Sequence, residues 1–307
     1  MAQNERQVRN MDKTPYQQAV CVLPPRLRRE ALALSELQQP LAEELRLRTG
    51  WPMTAVVGQE EIPLSGPPVA SGELEQLLEL ASRASVHAVL PQLRRGYLTL
   101  AGGHRLGLCG TAALEDGEVR TLRRLSSASL RVARQISGAA RSTAPRLCRN
   151  GILESTLILA PPGLGKTTFL RDLIRCVSEG EGVFPLRVGL ADERGEVAAL
   201  AQGIPQLAVG RRTDVLEGCP KAQGLLMLLR SMNPQVLAMD EITSPEDVEA
   251  LKTAAGCGTI LLATAHGGGR DDLQRRALYR DLPELFQKLV LIHTTAGRRT
   301  YQVEELS

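Results

Sequence analysis

One short segment of the chain has the residue types and the spacing of a phosphate-binding loop. The run Ala160-Pro161-Pro162-Gly163-Leu164-Gly165-Lys166-Thr167 fits the GxxxxGK[ST] pattern except that alanine stands at its first position. Gly163 and Gly165 allow the backbone to turn N–H groups towards a phosphate. Lys166 supplies a positive charge for the β and γ phosphates, and Thr167 supplies a hydroxyl for Mg²⁺. The predicted cofactors are therefore ATP and Mg²⁺, and the predicted nucleotide-binding residues are Pro162, Gly163, Leu164, Gly165, Lys166, Thr167 and Thr168.

Two carboxylates follow a short apolar stretch, at Asp240 and Glu241. In a parallel sheet, the carboxyl ends of the strands face the crevice in which ligands bind. We therefore predict that Asp240 holds Mg²⁺ together with Thr167, and that Glu241 accepts a proton from the attacking water. This favours hydrolysis over simple binding. The alternative is a solvated pair of acids at a strand end.

Three further polar positions lie where a catalytic group is expected. His266 follows a predicted strand and is predicted to sense the γ-phosphate or to position water, although a lone histidine is more often structural. Glu193 or Glu196 is predicted to assist Mg²⁺ or water, with a surface ion pair as the alternative. Arg212 lies in a predicted loop from which it would reach a phosphate in its own or a neighbouring subunit. The predicted catalytic residues are Glu241, Lys166, His266, Glu193 and Arg212.

The elements that must position these residues form a regular pattern after Gly151. Apolar segments at 156–160, 187–191, 236–239 and 259–264 alternate with helical stretches, as in a parallel sheet. Near-continuous apolar content is expected for strands that are covered on both faces. We therefore predict an α/β domain with a parallel sheet over residues 149–307. A smaller α+β domain is expected over 21–148, after a loose leader at 1–20.

The predicted first domain contains a helical pattern at 27–47 and two hairpin turns, at Gly102-Gly103 and Asp116-Gly117. Residues 119–149 then contain eight arginines and no acidic residue. A charged run of this kind usually faces water. The alternative is an interface between subunits that supplies an arginine to a neighbouring site.

The composition excludes several classes of protein. The net charge of the chain is +3. Residues 1–150 hold 20 Lys and Arg against 14 Asp and Glu, and residues 151–307 hold 17 against 20, so the net charge is positive in the first half and negative in the second. Only 3% of the residues are aromatic, which disfavours a base-stacking platform and hence a nucleic-acid partner. None of the six cysteines has zinc or redox spacing. No apolar run approaches the ~18 residues of a membrane span, so no transmembrane segment and a cytoplasmic location are expected.

From about residue 23 to 306 the chain resembles the sporulation stage III AA family, ATPases of endospore-forming bacteria that are similar to secretion and pilus motor ATPases. The matching stretches are ELRLR at 44–48, RGYLTLAGGHR at 95–105, LRVARQ at 130–135, DER at 192–194, RTDVL at 212–216, CPKA at 219–222, RSMNP at 230–234 and DEI at 240–242. A generic ATPase would not share all of them.

The resemblance implies a RecA-like P-loop NTPase domain behind a smaller α+β domain. It also implies a hexameric ring in the cytoplasm on the mother-cell side. That ring would bind peripherally to the membrane channel proteins of the sporulation apparatus, and its ATP hydrolysis would power the channel complex. The family has Gly-Arg where this chain has Thr243-Ser244, and Glu-Arg where it has Gln287-Lys288. Arg131, Arg134 and Arg212 match the family and are the candidates for an arginine that acts on a neighbouring subunit. There are two alternatives. One is a RecA-like ATPase that binds nucleic acid, and the other is a structural ring in which bound nucleotide only locks the assembly and is not hydrolysed.

Overall fold

The computed structural model describes residues 14–58, 60–82, 86–94, 96–295 and 298–306. The chain divides into two compact units, Met1–Arg134 and Gln135–Ser307. The division therefore comes earlier than the expected boundary at 148/149. The reason is that Ala140, Ala144 and Leu147 are buried in a core cluster of the second unit.

The first unit is built on a six-stranded antiparallel sheet with the order β3-β2-β1-β6-β5-β4. Its strands are β1 Ala42–Arg48, β2 Thr54–Val57, β3 Glu60–Pro63, β4 Tyr97–Thr99, β5 Arg105–Glu115 and β6 Glu118–Arg131. Its helices are α1 Pro15–Ala19, α2 Pro25–Leu32, α3 Ser71–Ser82 and α4 Val86–Arg94, with short 3₁₀ segments at Val20–Val22 and Ala101–Gly103. The core beneath the sheet includes Leu27, Leu45, Leu74 and Leu106.

The helical pattern expected at 27–47 is confirmed only in its first part. Helix α2 ends at Leu32, and the segment from Ala42 onward is strand β1. Leu45 and Leu47 are both buried because alternate residues of a strand face the same side. Strand β1 pairs with β2 on one side and with β6 on the other. The spacing of apolar residues in this segment is compatible with both a helix and a strand, and the pairing with two neighbours decides for the strand.

The chain before residue 21 differs from the expected loose leader. Thr14 caps helix α1 through a reciprocal capping box with Gln17. Tyr16 is buried, and its hydroxyl donates a hydrogen bond to the carbonyl oxygen of Ala31 at 2.8 Å. Residues 15–20 are therefore part of the first unit, whereas residues 1–13 of the expected leader lie outside the described residues.

The second unit contains a seven-stranded sheet with the order β13-β10-β14-β15-β9-β16-β17. All neighbours are parallel except β16 and β17, which form an antiparallel hairpin at one side. The strands of this sheet are β9 Thr156–Ala160, β10 Val188–Asp192, β13 Thr213–Glu217, β14 Val236–Met239, β15 Ile260–His266, β16 Lys288–Thr295 and β17 Arg298–Glu305. Short two-residue strands outside the sheet are β7 Cys148–Arg149, β8 Ile152–Leu153, β11 Leu200–Ala201 and β12 Ile204–Pro205. The helices are α5 Lys166–Glu179, α6 Lys221–Ser231, α7 Pro245–Gly256, α8 Asp271–Arg275 and α9 Leu282–Leu285.

Helices cover both faces of this sheet, as the apolar strands predicted. One core cluster joins Ile158 of β9 to Leu173 of α5, and the other joins Leu157 of β9 to Leu225 of α6 and Leu251 of α7. The predicted α/β fold with a parallel sheet is confirmed. Two predicted strands, 156–160 and 236–239, have the predicted bounds, and the other two are displaced by one or two residues.

The parallel register brings four strand ends to one edge of the sheet. His266 pairs with Ala160, and Met239 pairs with Ala263. Strand β10 ends beside β14 at Asp192. The residues that follow these strands are therefore neighbours in space. Within the described part of the chain, no helix is both long and apolar enough to cross a bilayer.

Candidate functional site

The phosphate-loop sequence lies between the end of β9 and the start of α5. Gly163 and Gly165 have φ of 78° and 91°, the left-handed region that other residues rarely adopt. A Cβ built on Gly163 meets no atom within 4 Å, so the loop is open at that residue. The amino end of α5 points its free N–H groups at this opening, an arrangement that favours an anion.

The side chain of Lys166 reaches across the loop. Its Nζ donates hydrogen bonds to the carbonyl oxygens of Ala160 at 3.0 Å and Pro161 at 3.3 Å, and contacts Nδ1 of His266 at 2.8 Å. Burial lowers the pKa of Lys166, and the charges of Glu241 and Asp240 partly oppose that shift. The ammonium group is thus held in the cleft by neutral acceptors.

Asp240 is fixed by two hydroxyl groups. Thr167 Oγ1 donates to its Oδ2 at 2.6 Å, and Thr264 Oγ1 donates to its Oδ1 at 2.6 Å. A hydroxyl and a carboxylate are hard oxygen donors of the kind that Mg²⁺ prefers. Among the described residues no group of three or more His, Cys, Asp or Glu side chains is arranged to hold a metal ion. The donor set fits an Mg²⁺ that takes its other ligands from nucleotide phosphates and water.

Glu241 is held beside this pair in an uncommon backbone conformation. Its φ is 56°, and its N–H donates to Thr264 Oγ1 at 2.8 Å. Its Oε1 lies 2.8 Å from His266 Nε2, and its Oε2 lies 3.8 Å from the guanidinium of Arg194. Because Lys166 donates to Nδ1 of His266, we assign the ring proton to Nε2, which donates to Glu241. A continuous hydrogen-bonded chain thus joins Lys166 to Glu241 through His266.

These groups surround one cleft of about 350 Å³. Its lining residues are Pro162, Gly163, Gly165, Lys166, Thr167, Thr168, Asp240, Glu241, His266 and Arg299. Of the predicted nucleotide-binding residues, only Leu164 is outside this lining, because its side chain packs against the apolar core under the loop.

Glu193 lies in a smaller recess that shares Asp240 and Glu241 with the cleft. Its Oε2 accepts a hydrogen bond from Lys221 Nζ at 3.4 Å. Lys221 is nearly buried, and its Nζ also lies 3.2 Å from Asp247. Glu193 is therefore tied into a charged cluster next to the cleft and does not line the cleft itself.

The turn that carries Glu193 and Glu196 is held from beneath by two buried charges. Asp192 accepts the N–H groups of three successive residues, 196–198, at 2.8 to 3.0 Å. Burial raises the pKa of Asp192, and those three backbone hydrogen bonds oppose the shift. Arg171 of α5 donates to the carbonyl oxygens of Val197 and Glu196, each at 2.6 Å, and burial lowers its pKa.

Arg212 is not brought to the cleft of its own chain. It precedes β13, and its carbonyl oxygen accepts from the N–H of Val188 at the start of β10, so it lies at the amino end of the sheet. Its guanidinium donates to the carbonyl oxygen of Ser178 at 2.8 Å. A cation there satisfies the carbonyl end of α5.

Three residues of the site were missed in the sequence. Thr264 interrupts an otherwise apolar strand just before His266, a signal that could have found it. Lys221 follows a proline at the start of α6, where a solvent-exposed lysine is the usual expectation. Arg299 carries no signal, because only the β16–β17 hairpin brings it back to the phosphate loop.

Several known proteins are similar to this chain in sequence or in fold. A family model described as "Sporulation stage III, protein AA" matches residues 13–302. "Stage III sporulation protein AA" of Bacillus subtilis (strain 168) is 39% identical over 264 residues, which cover 86% of this chain and 85% of that relative. "Uncharacterized protein ycf45" of Porphyra purpurea is 32% identical over 151 residues, 48% of this chain and 26% of that protein.

Two solved structures are similar over most of the chain. The Legionella pneumophila ATPase DotB has a TM-score of 0.57 and 20% identity, covering 92% of this chain and 81% of its own. The pilus retraction motor PilT with bound ADP has a TM-score of 0.59 and 16% identity, covering 88% of this chain and 81% of its own. These similarities show a RecA-like fold. Because the family match spans nearly the whole sequence, the chain belongs to the sporulation stage III protein AA family.

Proposed function

We propose that this protein is a Mg²⁺-dependent ATPase that works as a homo-oligomeric, hexameric ring and powers a membrane-associated, secretion-like channel complex during endospore formation. One observation carries the proposal. Lys166, the Thr167–Asp240 pair and the Glu241–His266 pair all lie in a single cleft at the amino end of α5.

Nucleotide binding follows from the loop. The backbone N–H groups between Gly163 and Thr168 and the ammonium of Lys166 would bind the phosphates. Lys166 would then exchange neutral carbonyl acceptors for charged phosphate oxygens, so that both partners of each hydrogen bond carry a charge. Thr167 and Asp240 would hold Mg²⁺, which when bound neutralises charge on the phosphates.

Proton removal is assigned to Glu241. A general base needs a fixed position and a free lone pair towards the water that it activates. Thr264 fixes the backbone of Glu241, and His266 accounts for one of the four lone pairs on its carboxylate. His266 also touches Lys166, so it would report phosphate binding to the base. Glu193 would support the adjoining recess through Lys221.

The ring would complete the site across subunits. An arginine supplied by a neighbour can raise phosphoryl-transfer rates by about 10³ to 10⁵. Arg131, which is exposed, and Arg134 and Arg212 are the proposed donors. The similar structures are an ATPase and a pilus retraction motor, and this similarity supports a motor role. We place the ring in the cytoplasm, peripheral to channel proteins on the mother-cell side, with no role for nucleic acid.

The test is ATP binding and turnover by the purified chain. Lys166→Ala should weaken ATP binding by about tenfold or more, because it removes the charged contact to the phosphates. Glu241→Gln should retain binding and lower turnover by about 10² to 10⁴. Lys252→Ala and Glu249→Gln, on the exposed side of α7, are the matched controls and should leave both unchanged.

Two results would contradict the proposal. Turnover that survives both cleft substitutions would exclude this cleft as the site of hydrolysis. Turnover per subunit that stays constant while the protein passes from monomer to oligomer would exclude a site completed by the ring.

A further inference from the structure

Strand β17 lies along helix α5 through alternate side chains. Arg299, Tyr301 and Val303 share one face of β17 because successive residues of a strand point to opposite sides. The ring of Tyr301 packs on Phe169 with centroids 4.8 Å apart, and both Tyr301 and Val303 pack against the core that α5 joins. These contacts set the register, so that Arg299 comes level with the amino end of α5.

The guanidinium of Arg299 lies against the phosphate loop. A Cβ built on Gly165 would be 3.0 Å from Arg299 Cζ and 3.1 Å from its Nη1. Arg299 lines the same cleft as Lys166, Asp240 and Glu241. Within the part of the chain that the structure describes, it has no carboxylate partner in an ion pair.

This position is electrostatically unfavourable for a cation by itself. The amino end of a helix carries a partial positive charge, and that charge disfavours a nearby cation. Lys166 adds a second cation to the same cleft. A polyanion bound between the two side chains would reverse the sign of both interactions, because each cation would then contact phosphate oxygens.

We propose that Arg299 binds the phosphate groups of the nucleotide held in its own subunit, so that the C-terminal hairpin supplies a second cation to the site. The inference rests on the proposed function, since it needs a nucleotide in this cleft. It assigns the hairpin β16–β17 a role in binding besides its place at the side of the sheet.

The experiment compares the full chain with Arg299→Ala, Arg299→Lys and Arg298→Ala. Arg298 is adjacent, exposed and on the opposite face of β17, so its loss is a matched loss of charge. Two quantities are measured. One is the Kd for ATP, and the other is the inhibition constant of tripolyphosphate as a competitor of ATP binding, because tripolyphosphate has the phosphates without the base. Arg299→Ala should raise both by about tenfold to a hundredfold, the usual effect of one hydrogen bond between charged groups.

The two other variants should behave differently. Arg299→Lys should recover part of the loss because it keeps the charge but not the fork of donors. Arg298→Ala should leave both constants within about twofold, a difference typical of distant surface charges. The melting temperature of Arg299→Ala should match that of the unsubstituted chain, because Arg299 is exposed.

Several outcomes would overturn the inference. They are unchanged constants in Arg299→Ala, an equal loss in Arg298→Ala, or a loss for ATP with no change for tripolyphosphate, which would indicate a contact to the base. If Lys166→Ala loses ATP binding and Arg299→Ala does not, only this inference fails. If the unsubstituted chain binds neither ATP nor tripolyphosphate, the proposed function fails with it.

Discussion

The hydroxyl of Thr264 joins the two acidic residues of the cleft. It donates to Asp240 Oδ1 at 2.6 Å and accepts from the N–H of Glu241 at 2.8 Å. That second contact also holds Glu241 at a positive φ, which costs a residue with a side chain about 1–2 kcal/mol. One buried hydroxyl thus fixes both the expected Mg²⁺ ligand and the expected base.

We predict that Thr264→Val lowers turnover by at least about tenfold with little change in the Kd for ATP. The substitution keeps the shape of the side chain but removes both hydrogen bonds, and it leaves the partly buried N–H of Glu241 without its acceptor, at a cost of up to about 1 kcal/mol. Turnover and ATP titration measure the two effects. Thr264→Ser retains the hydroxyl and should keep most of the activity; equal losses in both variants would contradict this role.

A second buried side chain makes the first unit sensitive to acid. His104 is 1% exposed, its Nδ1 accepts from the N–H of Ala133 at 3.0 Å, and burial lowers its pKa to about 4. In the unfolded chain the pKa of histidine is about 6.5. The unfolded state therefore binds the proton more readily, and the stability that neutral His104 allows is lost as the pH falls from 6.5 to 4.

We predict that the free energy of unfolding of the first unit falls by on the order of 3 kcal/mol over that pH range, from this group alone. Urea unfolding can be followed by the fluorescence of Trp51, the single tryptophan of the chain, which lies in this unit. In His104→Gln, which keeps an acceptor but does not titrate, the pH dependence should be smaller. An identical pH dependence in the two proteins would refute the assignment.

At the scale of elements, helix α5 anchors the segment that begins the second unit. Asp172 is 2% exposed, and its two carboxylate oxygens accept the N–H groups of Gly138 at 3.1 Å and Ala140 at 2.7 Å. Arg175, one turn further along α5, balances its charge at 2.9 Å. The helix that begins in the phosphate loop therefore also holds the start of its own domain.

We expect Asp172→Ala to release this segment. Two backbone N–H groups lose a charged acceptor, and Arg175 loses one of its partners, which together should cost about 2–4 kcal/mol. Trypsin should then cleave faster after Arg141, which is exposed just beyond Ala140. Asp172→Asn keeps one acceptor and should be intermediate, whereas cleavage at the same rate in all three proteins would show that the segment is held elsewhere.

How much the sequence predicted depends on how locally each feature is encoded. The sequence predicts strands β9 and β14 with their observed bounds because each apolar run is short. A proline follows the first run and an aspartate follows the second, and neither residue type continues a buried strand. Residues 42–47 belong to the helical pattern predicted at 27–47, because their spacing suits both a helix and a strand and only pairing with β2 and β6 decides between them. In the cleft, Lys166 and Asp240 come after strands of one parallel sheet and His266 is the last residue of another, so the order of strands in the sequence predicts that they lie close together. Arg299 could not be predicted, because it depends on the register of a hairpin against a helix.

At the scale of the whole molecule, each unit has its own core. Among the described residues, one core cluster draws only on the first unit and the other two draw only on the second. All ten residues that line the cleft belong to the second unit. Among the described residues, the two cores and the cleft of the second unit therefore include no side chain from the first unit of the same chain.

We therefore predict that residues 135–307 fold alone and bind ATP with a Kd within about threefold of that of the full chain, a difference of less than about 1 kcal/mol. Thermal unfolding and ATP titration of the fragment measure this. Lys166→Ala in the fragment is the control for binding in the cleft. A fragment that shows no cooperative transition would mean that the second unit depends on the first.

The brevity of strand β14 limits how this sequence can change in length. Its four residues are all buried, and Asp240 follows directly after them. The position of Asp240 is therefore set by the number of residues in the strand. One inserted residue would move Asp240 by about 3.3 Å and turn it to the other face. The segment between α5 and β10 carries exposed residues such as Phe184 and should accept an insertion. Insertions and deletions in this chain should therefore be tolerated mainly away from the strand ends that form the cleft. A scan of single-residue insertions, with ATP binding as the readout, would show which segments tolerate them.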